Sequence, residues 1–392
     1  MKAIVIGAGL SGAAVANALA QRDAQVTVLD AARAPAAGAS SLPAGLMAPQ
    51  VSKDDGIASQ LIRLGIARTT AECERLLRRG IDWEVCGALY KPFKAGKEAL
   101  WHPEAAWVKP AALVRAWLAG PGIEFVGNAQ VQRITNVGTP AAPDWQVFGQ
   151  TSSGVSPTKT TLLASAQAIV IAAASGTHAV TQFLHPATAK PLALHSVAGQ
   201  VIFGPWTTNW EQASLHRGGS ALNGLHTSKL EPSEQNYHAL NGNGHFIPNI
   251  ASDAGDAPPF WLSGSTYEHG VDHPSVTRAG LRANSERLAQ LLPAAAPLLA
   301  AAAQSGQLHA WAGERCTTAD RLPAAGALDA TALPGLYVCA GMGSRGLSFA
   351  ALCAEYLAQN VFGEPISLAP CIQKALLPAR LYGQTQVKRL SE

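Results

Sequence analysis

Two arginines lie in glycine-bounded stretches of this sequence: Arg315 in GERCTTADRLPAAG (313–326), which reads as a loop, and Arg345 in GMGSRGLS. A guanidinium is a permanently charged, planar fork of donors that meets a carboxylate through two parallel hydrogen bonds, which lysine cannot reproduce. Residues of this kind suit a substrate that carries an acid. A second constellation stands at the N-terminus, where Gly7-Ala8-Gly9-Leu10-Ser11-Gly12 satisfies G-x-G-x-x-G. The β-branched run KAIVI precedes it, an alanine-rich helical pattern from Ser11 to Arg22 follows, and QVTVLD ends on the acid Asp30. Strand, glycine turn, helix, strand and acid is the dinucleotide-binding order. Gly7 permits the tight turn and Gly9 lets the backbone approach a pyrophosphate at the helix N-terminus. Gly12 permits close helix–strand packing, and Asp30 can accept hydrogen bonds from a ribose diol.

Metal and thiol chemistry find less support. His102, His178, His195, His216, His226 and His238 show no i,i+4 or HxH pairing, so no metal site is expected. Cys73, Cys86, Cys316, Cys339, Cys353 and Cys371 form no CxxC and are scattered, which argues for reduced thiols in a cytoplasm. Cys316, beside Arg315, reads as a small packed side chain rather than a reactive thiol. The 392 residues are 48% hydrophobic, enough for a substantial core, but no apolar run reaches the ~18 residues of a membrane span. A net charge of +3 neither demands nor excludes an acidic partner such as RNA.

These residues need elements to hold them. GIEFV, VQRI and WQVFGQT read as short strands, and AQAIVIAAASG (166–176) as a buried strand ending in small residues. Residues 204–260 are rich in Gly, Asn, Ser, Pro and His. Here LNGNGHFIPNI and WLSGSTYEHG read as strands between long loops of a substrate-facing domain. They carry His245 and Tyr267, which could line a pocket or equally sit in the core or on the surface. Residues 278–299 read as one helix, carrying Leu281, Leu288, Leu291 and Leu292. GLYVCAGMGSRGLSFAALCAEYLA (335–358) repeats strand, glycine turn and helix, so Gly343, Ser344, Gly346 and Leu347 are expected at a cofactor-facing helix end. Lys374, Arg380, Lys388 and Arg389 mark a solvated basic tail. After Asp30, the segment AARAPAAGASSLPAGLMAP shows no prompt second helix. Small residues such as Gly38, Ala39, Ser40 and Gly45 suit a chain running beside a long cofactor, FAD rather than NAD.

GASSLPAGLMAPQVSKDD resembles the G-A-S-G-x-x-x-G segment of the D-amino-acid-oxidase-like flavoprotein superfamily. Within it, the chain is similar to the C-terminal FAD domains of the bifunctional tRNA 5-methylaminomethyl-2-thiouridine biosynthesis proteins. The blocks VAGQV (197–201), GSTYEHG (264–270), ERCTTADRLPAAG (314–326) and LYVCAGMGSRGLSFAALCAEYLA (336–358) follow in the same order, so the resemblance covers about residues 1–365. Two departures are local: Ser41 replaces a glycine, and AAAS at 172–175 replaces an A-x-G strand end.

The resemblance implies an α/β fold in which a Rossmann-like FAD-binding domain (1–85, 107–190, 305–365) joins a mostly antiparallel-sheet substrate domain (86–106, 191–304), with a tail at 366–392. It implies FAD contacts at Gly7, Gly9, Leu10, Ser11, Gly12, Asp30, Ala39, Ser40, Gly45, Leu46, Val131 and Ala173, and at Gly343, Ser344, Arg345, Gly346 and Leu347. Arg315, Arg345, Tyr267 and His245 are the implied catalytic set, with Arg315 on the substrate carboxylate. The implied reaction is oxidation of a C–N bond in a carboxymethylamino group, on modified tRNA or on a free small amine. A non-catalytic binding role is a third reading. Because the chain begins at the glycine fingerprint, a methyltransferase half is expected to be missing, and a separate methyltransferase partner would supply it.

Overall fold

Strands built from uninterrupted β-branched runs are buried on both faces, which places them centrally in a parallel sheet. Lys2–Ile6 and Ala168–Ile171 have this character, and they pair with each other in a six-stranded sheet. Its order is Ala324–Ala327, Leu336–Ala340, Ala168–Ile171, Lys2–Ile6, Gln25–Leu29, Ile123–Val126; every pairing is parallel except the first. The structure is a computed structural model that describes residues 1–50, 54–92, 98–151, 160–182, 192–214, 237–253, 257–271 and 273–382.

Helices Leu10–Ala20, Ile57–Leu76 and Gly346–Phe362 cover this sheet, with Val5, Val15, Leu61, Val170 and Leu357 fully buried between them. Close approach depends on missing side chains. A Cβ on Gly12 would overlap the Gly7 carbonyl, and one on Gly65 would overlap the Ser348 carbonyl of the neighbouring helix. Thr69 donates from Oγ1 to the Leu347 carbonyl at 2.7 Å, fixing the start of Gly346–Phe362.

The second large sheet runs Glu268–His269, His195–Pro205, Phe260–Gly264, Gly244–Ile250, Ala239–Gly242, Ala88–Tyr90, Leu100–His102, and His309–Thr317 pairs with His195–Pro205 from the side. Only Ala239–Gly242 with Ala88–Tyr90 is parallel. Strand side chains alternate between faces, so Leu89, Leu240, Phe246 and Ile202 point one way, into a core shared with Leu288 and Leu291 of helix Arg278–Leu291. The opposite face looks toward the first sheet. Among the described residues no helix is long and apolar enough to cross a membrane.

Several sequence expectations need correction. Arg315 and Cys316 sit on a nine-residue strand that pairs with His195–Pro205 of the second sheet, not in a loop. The helix expected over 278–299 stops at Leu291, because Pro293 lacks the N–H and clashes with the turn before it. A 3-10 turn Pro293–Ala295 and a separate helix Ala296–Gln304 follow. Tyr267 lies between strands Phe260–Gly264 and Glu268–His269 rather than on one. The first part of the expected solvated tail is packed: Ile372, Leu376 and Leu381 are buried, and Arg380 pairs with Asp320 at 2.9 Å. Lys388 and Arg389 lie outside the described residues, as do His216 and His226.

Candidate active site

A cavity of about 1240 Å³ opens at the carboxyl ends of the parallel strands, beneath the face of the second sheet that turns away from helix Arg278–Leu291. Ordinary small-ligand pockets hold roughly 300–1,000 Å³, so there is room for a large cofactor and a substrate together. Of the residues expected at the cofactor, Gly7, Gly9, Leu10, Ser11, Asp30, Ala39, Ser40, Gly45, Leu46, Val131, Ala173, Gly343, Ser344, Arg345, Gly346 and Leu347 all line it. Gly12 does not; it is buried beneath the turn.

The glycine turn is shaped as a pyrophosphate cradle. Gly7 has φ +109°, and a Cβ there would overlap the Ala172 carbonyl. The Leu10 N–H donates to Ser40 Oγ at 2.9 Å, while the first-turn N–H groups of Ser11 and Gly12 have no acceptor among the described residues. Unpaired N–H groups at a helix N-terminus favour an anion. Asp30 closes the turn: Oδ2 accepts from the Ala8 N–H at 2.6 Å and Oδ1 from the Ala32 N–H at 2.8 Å. A carboxylate has about four acceptor positions, so capacity remains for ribose hydroxyls. The residues present therefore fit FAD.

Beside this cradle, the 3-10 turn Gly343–Arg345 leads into helix Gly346–Phe362, its backbone bent by Gly341 (φ +76°) and Gly343 (φ +57°). Gly45 leaves the space that Leu347 fills, since its Cβ would meet Leu347 Cδ1 at 2.7 Å. Arg345 donates from Nη2 to Gln50 Oε1. Burial and the nearby Arg321 charge both draw its pKa down from the usual guanidinium value, and Tyr267 opposes them.

The second sheet supplies the other wall. Arg315 donates from Nη2 to Ser265 Oγ at 2.7 Å and from Nη1 to the Thr266 carbonyl at 3.2 Å, and its guanidinium lies 4.6 Å from the Tyr267 ring centre. All three partners are neutral. The nearest acids in sequence, Glu314 and Asp320, do not pair with it among the described residues, and Asp320 is taken by Arg380. Burial pulls the Arg315 pKa down. His245 reaches the same cavity from strand Gly244–Ile250, with Nε2 buried and without a hydrogen-bond partner among the described residues. Burial first, and the Arg315 charge second, hold its imidazole down at about 4. Tyr267 is 57% exposed and stands at the mouth. The structure thus brings Arg315, Arg345, His245 and Tyr267 to one cavity. Cys316 is buried beside them with its thiol pushed up to about 11 by burial.

Several lining residues carried no sequence signal. Gln50, Ser265, Tyr90, His102 and Asn241 are ordinary polar residues on short or irregular segments. Trp311 donates from Nε1 to Ser41 Oγ at 3.0 Å, so the departure from glycine at that position has a partner. The block VAGQV did hold a clue in Gly199, because only a missing side chain lets the Arg315 guanidinium lie flat there.

Comparison with known proteins bears on this geometry. The family model DAO, described as FAD dependent oxidoreductase, matches residues 2–97 and 90–360. The tRNA 5-methylaminomethyl-2-thiouridine biosynthesis bifunctional protein MnmC of Polaromonas naphthalenivorans is 38% identical, over 96% of this chain and 59% of that protein. The protein of the same name from Polaromonas sp. JS666 is also 38% identical, over 98% and 60%. The chain thus spans about 60% of the length of these relatives. Glycine oxidase from Geobacillus kaustophilus matches in fold with a TM-score of 0.65 at 18% identity, covering 94% of this chain and 96% of that one. Iminodiacetate oxidase from Chelativorans sp. BNC1 matches with a TM-score of 0.63 at 18% identity, covering 94% and 97%.

Proposed function

We propose that this chain, which belongs to the DAO family of FAD-dependent oxidoreductases, oxidises the bond between nitrogen and the carboxylate-bearing carbon of a carboxymethylamino group. It is an FAD-dependent amine oxidoreductase; the proposal concerns what it acts on. One observation carries it: Arg315 is a half-buried cation facing the cavity, held by neutral partners alone. A guanidinium drawn out of water without a counter-ion is costly, and a substrate carboxylate supplies the missing charge through the forked contact. Arg345, on the facing turn, adds a second cation.

Bound FAD supplies the two-electron acceptor for the hydride. The chain's residues do the rest. Arg315 holds the carboxylate and so fixes the neighbouring CH2, which is the entropic part of catalysis. His245 is held neutral by burial and by the Arg315 guanidinium beside it, so it adds no second positive charge near the amine, whose proton is released to water. Loss of hydride and proton converts N–CH2 to N=CH. Water adds across that bond and cleavage yields a primary amine and glyoxylate.

The relatives' name supports one substrate in particular, the carboxymethylaminomethyl group of a wobble uridine in tRNA, with the aminomethyl nucleoside as product. A methyltransferase would then act on that product. A second reading, a free N-substituted glycine, is favoured by the fold shared with glycine and iminodiacetate oxidases. Anaerobic mixing tests both. Flavin bleaching by undermodified tRNA but only weakly by N-methylglycine supports the first; the reverse supports the second; an oxidised spectrum with both removes the proposed reaction. Arg315→Ala should retain bound FAD and lose at least tenfold in apparent substrate affinity.

A further inference from the structure

We propose that Tyr90 and Asn241 form a subsite for the group on the far side of the amine nitrogen, and that this group is a planar, hydrogen-bonding heterocycle. The inference rests on the carboxymethylamine reading above. It comes from strand register. Leu100 pairs with Tyr90, Tyr90 with Asn241, Asn241 with His245, His245 with Gly264, Gly264 with Val201 and Val201 with Trp311. Directly paired residues point to the same face of a sheet, so these seven form one row across six neighbouring strand pairs. All except Gly264 line the cavity.

The alternation fixes which face is which. Leu89, Leu240, Phe246 and Ile202, the neighbours one residue away, are buried in the apolar core against helix Arg278–Leu291. Tyr90 and Asn241 are therefore held toward the cavity by the packing of their neighbours. Among the described residues neither the Tyr90 hydroxyl nor the Asn241 amide has a hydrogen-bond partner.

Distance separates this pair from the carboxylate end. The Arg315 guanidinium lies against Gly199. Asn241 is three strands across and two residues along from there, about 16 Å at strand spacings of ~4.8 Å and ~3.3 Å per residue. N-methylglycine is four bonds of roughly 1.5 Å from acid to methyl, so it stops well short of Asn241. A methylene and a six-membered ring beyond the nitrogen bridge the gap. An amide side chain presents a donor and an acceptor together, which matches the adjacent N–H and C=O of a pyrimidine imide. The Tyr90 ring adds a flat apolar face for the same group.

Two ethers that cannot be oxidised at nitrogen test this on the FAD-loaded protein: methoxyacetate and (uracil-5-yl)methoxyacetate, each titrated by its shift of the flavin visible band. The wild type should bind the uracil ether at least tenfold tighter. Asn241→Ala, and the near-isosteric Asn241→Asp in case the first variant folds poorly, should cut that advantage to threefold or less. Tyr90→Ala should reduce it several-fold. Methoxyacetate binding should stay unchanged in all three. Equal wild-type affinity for the two ethers, or an advantage that survives in both Asn241 variants, overturns the proposal. Flavin reduction by N-substituted glycines is read separately, so failure of the reaction and failure of the subsite give different results.

Discussion

The Arg315 guanidinium occupies the space that a side chain on Gly199 would fill, one strand away in register with Gly313. The proposed clamp is therefore a property of two strands, His309–Thr317 and His195–Pro205, and the glycine is as necessary to it as the arginine.

Gly199→Ala should push the guanidinium off its hydrogen bonds to Ser265 and Thr266 while leaving the cofactor cradle untouched. A hydrogen bond to a charged group contributes about 1.5–3 kcal/mol, so steady-state kinetics should show KM raised by roughly ten- to a hundredfold, with flavin content unchanged.

Arg315→Lys should not rescue what Arg315→Ala loses. An ammonium is a single point charge without the planar fork, and it cannot contact Ser265, Thr266 and a carboxylate in the same geometry. Recovery of more than about a third of wild-type kcat/KM by the lysine variant would show that charge alone suffices.

His245 predicts a pH dependence with a definite sign. Its folded-state value of about 4 lies below the ordinary 6.5, so the unfolded chain takes up the proton first as pH falls. Its contribution to stability is complete above 6.5 and is lost progressively toward 4, at up to about 1.4 kcal/mol per pH unit. Urea unfolding midpoints should drop between pH 6.5 and pH 4.5 in the wild type, and the slope should be shallower in His245→Gln.

Asp30 ties the glycine turn to the next strand through Ala8 and Ala32. Asp30→Ala removes both contacts and the acceptor for a ribose. FAD affinity, measured by fluorescence on dilution, should fall at least tenfold, and the purified variant should carry less than one flavin per chain.

Ala174 sits at φ +51°, where an L residue is strained by about 1–2 kcal/mol and glycine is not. The greater backbone entropy of glycine offsets roughly 0.5–1 kcal/mol of that gain. Ala174→Gly should therefore raise stability by about 0.5 kcal/mol, seen as a small rise in the urea midpoint without a change in KM.

The legible parts of this molecule are those whose signals are local. KAIVI, the glycine turn and Asp30 lie within 30 residues of one another, and the segment from Leu336 to Phe362 repeats the same grammar. Arg315 stood out because a cation between glycines is unusual, yet the TTADRLP turn after it made a strand look like a loop. The helix over 278–299 was broken by Pro293, whose stop signal was outweighed by the surrounding leucines. Tyr90 and Asn241 were silent for a deeper reason. They lie on strands of three and four residues, 151 positions apart, joined by a parallel pairing that no local period announces.

The strand carrying Arg315 is bonded to His195–Pro205 along nine residues, and at its end Thr317 bridges to Met342, at the head of the turn Gly343–Arg345. The end of the pocket proposed to hold the acid is thus tied to the turn that opens helix Gly346–Phe362. The far end belongs to short strands whose Ala88 and Ala239 pack instead against Leu46 and Ala48. On the proposed reading, exchanging residues there would change what hangs from the nitrogen without retuning the chemistry, and the architecture would separate a shared reaction from a replaceable address.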